Sequence, residues 1–148
     1  MEPNQARGLR VVLPDQPPRK ALLDIPLYGS IPAGKPEERE AEVRRYITVD
    51  RATLDTRLSS DAFALEVKGD SMIDKHILSG DHVVIEPRRN PHAGDVVAAL
   101  IDGETTLKTL VMKNGKAYLK AENPRYRELI PKSELSINGV AVAVLRAL

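Results

Sequence analysis

The sequence predicts a mainly β protein of antiparallel strands with one short helix, and three observations carry that expectation. Asp102-Gly103 and Asn114-Gly115 each join runs rich in aliphatic and β-branched residues, as two-residue hairpin turns do. Phe63-Ala64-Leu65-Glu66-Val67-Lys68 alternates apolar and polar with the period of a half-buried strand. After Ser71, Met72, Ile73, Ile77 and Leu78 fit about two turns of helix closed by Gly80.

In chain order, residues 1–24 contain Pro14, Pro17 and Pro18 among scattered charges and read as an extended arm or linker. Ile25 to Ile31 is a short strand that Pro26 and Gly29 confine to an edge or a bulged position. Pro32-Ala33-Gly34-Lys35-Pro36 cannot lie in a central sheet, because neither proline donates to a ladder, so residues 32–36 form a bent, accessible loop. Glu37 to Arg45 is a solvated connection, and Tyr46 to Val49 is a strand. Asp50 caps one or two helical turns toward Leu58. Beyond Gly80 a meander of strands is expected at His82–Glu86, Asp95–Ile101, Glu104–Lys113 and Lys116–Ala121, with a last one within Leu135–Leu148. One domain over residues 25–148 follows.

Composition narrows the chemistry. With 22 basic and 21 acidic residues among 148, the net charge of +1 supplies no field for phosphate-dominated binding, so no direct DNA binding is expected. The absence of cysteine excludes thiolate catalysis and thiolate metal sites. No window approaches the roughly 20 apolar residues of a membrane helix, and no secretory apolar core stands at the N-terminus. The expectation is a soluble cytoplasmic protein without membrane association. One Phe, four Tyr and no Trp give little for stacking on bases. His76, His82 and His92 lack metal-ligand spacing and read as surface or structural, so neither metal nor cofactor is implied.

Two residues stand out. Ser71, after Gly69-Asp70, falls at a strand-to-helix junction, where it is either a helix cap or a hydroxyl beside free backbone N–H groups able to meet an oxyanion. Lys108 shares a strand face with Thr106, Leu110 and Met112. Either its stem packs while its ammonium reaches water, or it is desolvated among apolar neighbours. Arg88-Arg89 and Arg125-Tyr126-Arg127 read as solvated basic clusters.

Taken jointly, Ala33-Gly34, Gly69-Asp70-Ser71-Met72-Ile73-Asp74, Gly80-Asp81, Gly94-Asp95-Val96-Val97 and Thr106-Leu107-Lys108 closely resemble the C-terminal domain of LexA repressors, UmuD and related phage repressors, from about Ile25 onward. The resemblance implies a LexA/signal-peptidase-like β fold and a self-cleaving serine peptidase. In it Ser71 is the nucleophile, Lys108 the general base and Ala33–Gly34 the bond cut, with a RecA filament on single-stranded DNA as the stimulus. Such domains form homodimers. The 32 residues before Ala33 are too few and too proline-rich for the winged helix-turn-helix of LexA proper. The expected function is therefore a UmuD-like SOS-response protein whose processed form serves a translesion DNA polymerase. The alternative is the cleavage and dimerisation domain of a LexA-type repressor without its DNA-binding domain. A third reading is a non-catalytic dimerisation module in which Ser71 only caps a helix.

Overall fold

The structure is a computed structural model that describes residues 22–30, 43–54, 57–126 and 135–147. Eight strands form one sheet: β1 (Leu22–Tyr28), β2 (Arg45–Asp50), β3 (Phe63–Glu66), β4 (His82–Glu86), β5 (Val96–Ile101), β6 (Glu104–Lys113), β7 (Lys116–Lys120) and β8 (Leu135–Leu145). Their order across the sheet is β2-β1-β3-β4-β8-β5-β6-β7. β1 takes in Leu22, Leu23 and Asp24 from the stretch read as an arm, and residues 1–21 lie outside the described residues.

The two hairpins form as the dipeptides require. Asp102 and Gly103 have φ of 48° and 87°, and Asn114 and Gly115 have 51° and 76°, so both central residues of each turn are left-handed. Such turns match the twist of the strands they join. Asp50 also caps, its carboxylate accepting from the Ala52 N–H at 2.9 Å, but the 3-10 helix it starts is only Arg51–Thr53.

Non-local pairing departs from the expected antiparallel meander in two places. β1 and β3 are parallel, with Leu27 opposite Ala64, so the sheet is mixed. β8 inserts between β4 and β5 and pairs antiparallel with both. The extra residues this requires are Asn138, between the partners of Ala98 and Ala99, and Val142, between those of Val84 and Ile85. Bulges of this kind bend a strand, and a sheet with few helices to cover it needs bending to bury both faces. Both faces are buried. Leu65, Val83, Ile85 and Ala98 join Tyr28, Met72 and Ile77 in one cluster, while the alternate residues Ala64 and Val84 join Ile25, Leu27 and Val49 in another.

β8 crosses β4 closely at Gly139. A Cβ there would meet Ile85 Cγ2 at 2.5 Å, Glu86 O at 3.0 Å and Pro87 Cα at 3.0 Å. Gly139→Ala is therefore expected to destabilise the fold by about 1–3 kcal/mol, the range for overpacking a tight interior. Thermal unfolding checks this, and an unchanged melting temperature would contradict the close approach.

The expected two-turn helix after Ser71 is shorter. A single 3-10 turn spans Ile73–Lys75 and ends at His76, which is left-handed at φ 60°. The Asp74 N–H donates to Glu122 O, across the loop, instead of continuing a helix. Met72 and Ile77 are buried whereas Ile73 and Leu78 are exposed, so the four apolar residues do not share a helical face. Met72, not Ser71, occupies the cap position, and no side chain caps that turn.

Candidate active site

Ser71 rides on the loop between β3 and β4, which is closed at its base. The Val67 N–H donates to Asp81 O and the Gly80 N–H to Val67 O, both at 2.8 Å, and the Gly69 N–H donates to Ser79 Oγ at 3.3 Å. Met72, 2% exposed, plugs the loop into the core beside Tyr28 and Leu65. Burying such a side chain contributes roughly 1.5–3 kcal/mol, which holds the adjacent Ser71 at the rim of the core.

The same loop hangs from residues 122–126. Asn123 Nδ2 donates to Asp70 O at 2.9 Å, and Glu122 O accepts from the Asp74 N–H at 2.8 Å. The Asp70 carboxylate accepts from the Tyr126 hydroxyl and, at 2.7 Å, from Arg125. The Tyr126 hydroxyl is the largest cause holding the Asp70 carboxyl below its ordinary range, and the Arg125 charge acts in the same sense. Reciprocally, the Asp70 carboxylate pushes the Tyr126 phenol up, so the contact persists into alkaline solution.

Lys108 comes from β6, where it lies opposite Val97 of β5. Its Nζ is 3.1 Å from Ser71 Oγ, 2.7 Å from Thr106 Oγ1 and 3.3 Å from Leu107 O. Thr106 meets it because residues two apart on a strand share a face. Burial pushes the Lys108 ammonium down from its ordinary pKa. The three neighbours also suit the neutral amine. Two N–H groups can go to Thr106 Oγ1 and Leu107 O, leaving the lone pair for the Ser71 hydroxyl proton. That arrangement can generate an oxygen nucleophile.

Ser71 and Lys108 open on a cleft of about 620 Å³, whose lining includes Gly29, Ser30, Met72, Thr106 and Leu107. Ala33 and Gly34 lie outside the described residues, but Ser30, three positions before Ala33, is part of the cleft wall. Of the residues singled out in the sequence, Ser71 and Lys108 thus meet, from positions 37 apart. Sequence reasoning missed Thr106 as a partner of Lys108 and set aside Arg125 and Tyr126 as part of a solvated cluster. The Asn123-Pro124 dipeptide was a usable turn signal, but nothing local says that the turn rests on Asp70.

Comparison with known proteins agrees with this geometry. Residues 26–142 match the family described as Peptidase S24-like. The chain is 46% identical over 136 residues to a LexA repressor of Verrucomicrobium spinosum, covering 92% of this chain and 66% of that protein. It is 48% identical over 123 residues to a LexA repressor of Opitutus terrae, covering 82% and 61%. It is 37% identical over 147 residues to LexA repressor 2 of Pseudomonas syringae pv. tomato, covering 97% and 69%. The chain thus spans about two thirds of the length of these curated relatives. With most of its length matched, a mainly β sheet, and a serine and a lysine in contact at one cleft, the chain belongs to the Peptidase S24-like family, alongside LexA repressors.

Proposed function

We propose that this chain is the self-cleaving and dimerising part of a LexA-type repressor, with Ser71 as nucleophile, Lys108 as general base and Ala33–Gly34 as the bond cut. The observation that carries the reading is the 3.1 Å contact between Ser71 Oγ and the part-buried Lys108 Nζ. The relatives are named as repressors, which supports this alternative over a UmuD-like role with a polymerase partner.

In this mechanism Lys108 takes the Ser71 proton as Oγ attacks the carbonyl carbon of Ala33. The C–N bond breaks, Lys108 returns the proton to the departing Gly34 amine, and water then releases the acyl group from Ser71. Ser30 lines the same cleft as Ser71, and the three residues from Ser30 to Ala33 span at most about 11 Å, so connectivity keeps the substrate bond near that cleft. Holding reactants in one chain supplies a high effective concentration, so the reaction has to be restrained until a signal arrives. A RecA filament on single-stranded DNA would act by favouring the docked loop.

Dimerisation has its own support. β8 pairs with β5 over Leu135–Ile137 and Gly139–Val140, and with β4 over Val140–Ala141 and Ala143–Leu145. Among the described residues, one edge of β8 beyond Val140 therefore has no strand beside it, and Val144 is exposed. Such an edge is a template for a second copy.

Incubation of the purified chain at about pH 10, where roughly a quarter of an ordinary lysine is neutral and burial raises that fraction for Lys108, is expected to yield two fragments. RecA with single-stranded DNA is expected to give the same fragments near neutral pH. A chain that stays intact under both conditions overturns the reading.

Thr106→Val should separate the roles around Lys108. The Thr106 oxygen 2.7 Å from Nζ stabilises the ammonium, so its loss leaves burial less opposed and lowers the Lys108 pKa further. The pH–rate curve of cleavage should shift to lower pH, with a reduced limiting rate from the less constrained amine. A shift to higher pH would contradict this assignment.

A further inference from the structure

The turn at 123–126 does more than carry charge. Asn123 is buried, at 8% exposure, and its side chain divides its two ends between two tasks. Oδ1 accepts from the Arg125 N–H at 3.0 Å, and the Tyr126 N–H donates to the Asn123 carbonyl at 3.0 Å, so Asn123 builds its own turn around Pro124. Nδ2 points out of that turn and donates to the carbonyl of Asp70, 53 residues earlier, at 2.9 Å.

That carbonyl belongs to the peptide unit joining Asp70 to Ser71. A peptide unit is planar, and this chain has no cis peptide among its described residues, so its C=O and N–H point in opposite directions. Fixing the Asp70 oxygen therefore fixes the direction of the Ser71 N–H. Among the described residues no acceptor takes that N–H. The Glu122 contact to the Asp74 N–H holds the far end of the same segment, so rotation about the plane is resisted from both sides.

We propose that Asn123 is a positioning residue for this reaction, holding the Asp70–Ser71 peptide so that the Ser71 N–H is aimed at the oxyanion formed on the attacked carbonyl. The inference rests on Ser71 being the nucleophile. A donor fixed beforehand loses nothing to reorganisation when charge develops, and removing one such donor costs about 10²–10³ in rate. Misdirecting it without removing it should cost less.

Asn123→Asp is the sharpest test. It keeps the Oδ1 acceptor that forms the turn but replaces the Nδ2 donor with an oxygen facing the Asp70 oxygen. Asn123→Ser is its neutral companion. A serine hydroxyl can still bond the N–H two residues on, but it is too short to reach Asp70. Two readouts apply, both recorded as pH profiles: self-cleavage, and labelling of Ser71 by a fluorophosphonate, which needs no cleavage loop.

Both variants are expected to lower the limiting rates by about 10-fold or more. The midpoint of each profile should stay where Lys108 sets it, and the melting temperature should remain far above that of the assay. A merely structural residue would lower the melting temperature without this loss of limiting rate in protein that is still folded. Limiting rates equal to those of the unsubstituted chain overturn the inference, as does a moved midpoint with the limiting rate kept. If the unsubstituted chain is labelled but cut elsewhere, only the substrate reading fails. If it is not labelled at all, the Ser71 reading fails and this inference falls with it.

Discussion

Ser71→Ala is expected to leave the chain intact at every pH, and Lys108→Ala to slow self-cleavage by about 10³-fold or more, within the range for a general base. A serine hydroxyl loses its proton only to a base within reach, and in the proposed mechanism Lys108, with Nζ 3.1 Å from Ser71 Oγ, serves as that base. Lysine's ordinary pKa of about 10.4 leaves only about one in a few thousand neutral at pH 7. Burial pushes Lys108 down, which increases the neutral fraction at any given pH below the ordinary value. The sign follows: the rate should rise about tenfold per pH unit below the Lys108 pKa and level off above it. The plateau should begin below pH 10.4, lysine's ordinary value. Rates measured from about pH 6 to 11 check this. Lys108→Ala should abolish the lysine-dependent limb, and wild-type behaviour from Lys108→Ala across that range would exclude Lys108 as the base.

Gly34→Glu is expected to block cleavage by about 10²-fold or more without disturbing the fold. The attacked carbonyl has to come within about 3–3.5 Å of Ser71 Oγ, in a cleft already narrowed by Met72, Leu107 and the Lys108 stem. Small residues at the cut permit that approach. A glutamate would bring both bulk and a charge to be desolvated beside the amine. Fluorophosphonate labelling of Ser71 in the same variant should be unchanged. Cleavage of Gly34→Glu at the normal rate would place the scissile bond elsewhere.

The parts of the fold written in local chemistry were legible in the sequence. Asn114-Gly115 and Asp102-Gly103 specify their hairpins because few other residues accept positive φ at both turn positions. Asp50 was readable as a cap for the same local reason. Neither the parallel pairing of Leu27 with Ala64 nor the insertion of β8 has a local signal, since each is settled by which apolar faces meet in the folded core. The stretch after Ser71 misled because Met72, Ile73, Ile77 and Leu78 fall at helical spacing. Burial of Met72 and Ile77 from an irregular loop uses the same residues.

The site divides in the same way. Ser71 and Lys108 were legible only together with the motifs around them, because a serine after Gly-Asp and a lysine on a strand are each commonplace. Thr106 was in reach of the period-two rule once Lys108 was chosen. Asn123, Arg125 and Tyr126 were not, because their bonds to Asp70 span 53 to 56 residues. Those contacts explain how a loop with only one 3-10 turn holds a serine steadily against a lysine from another strand.

In the proposed reaction Ser71, assisted by Lys108, cuts its own chain between Ala33 and Gly34. Intact-mass measurement of the products after incubation at about pH 10 tests it most directly. The predicted result is a pair of masses corresponding to residues 1–33 and 34–148, present for the unsubstituted chain and absent for Ser71→Ala. Fragments ending at any other bond, or the same pair from Ser71→Ala, would contradict it.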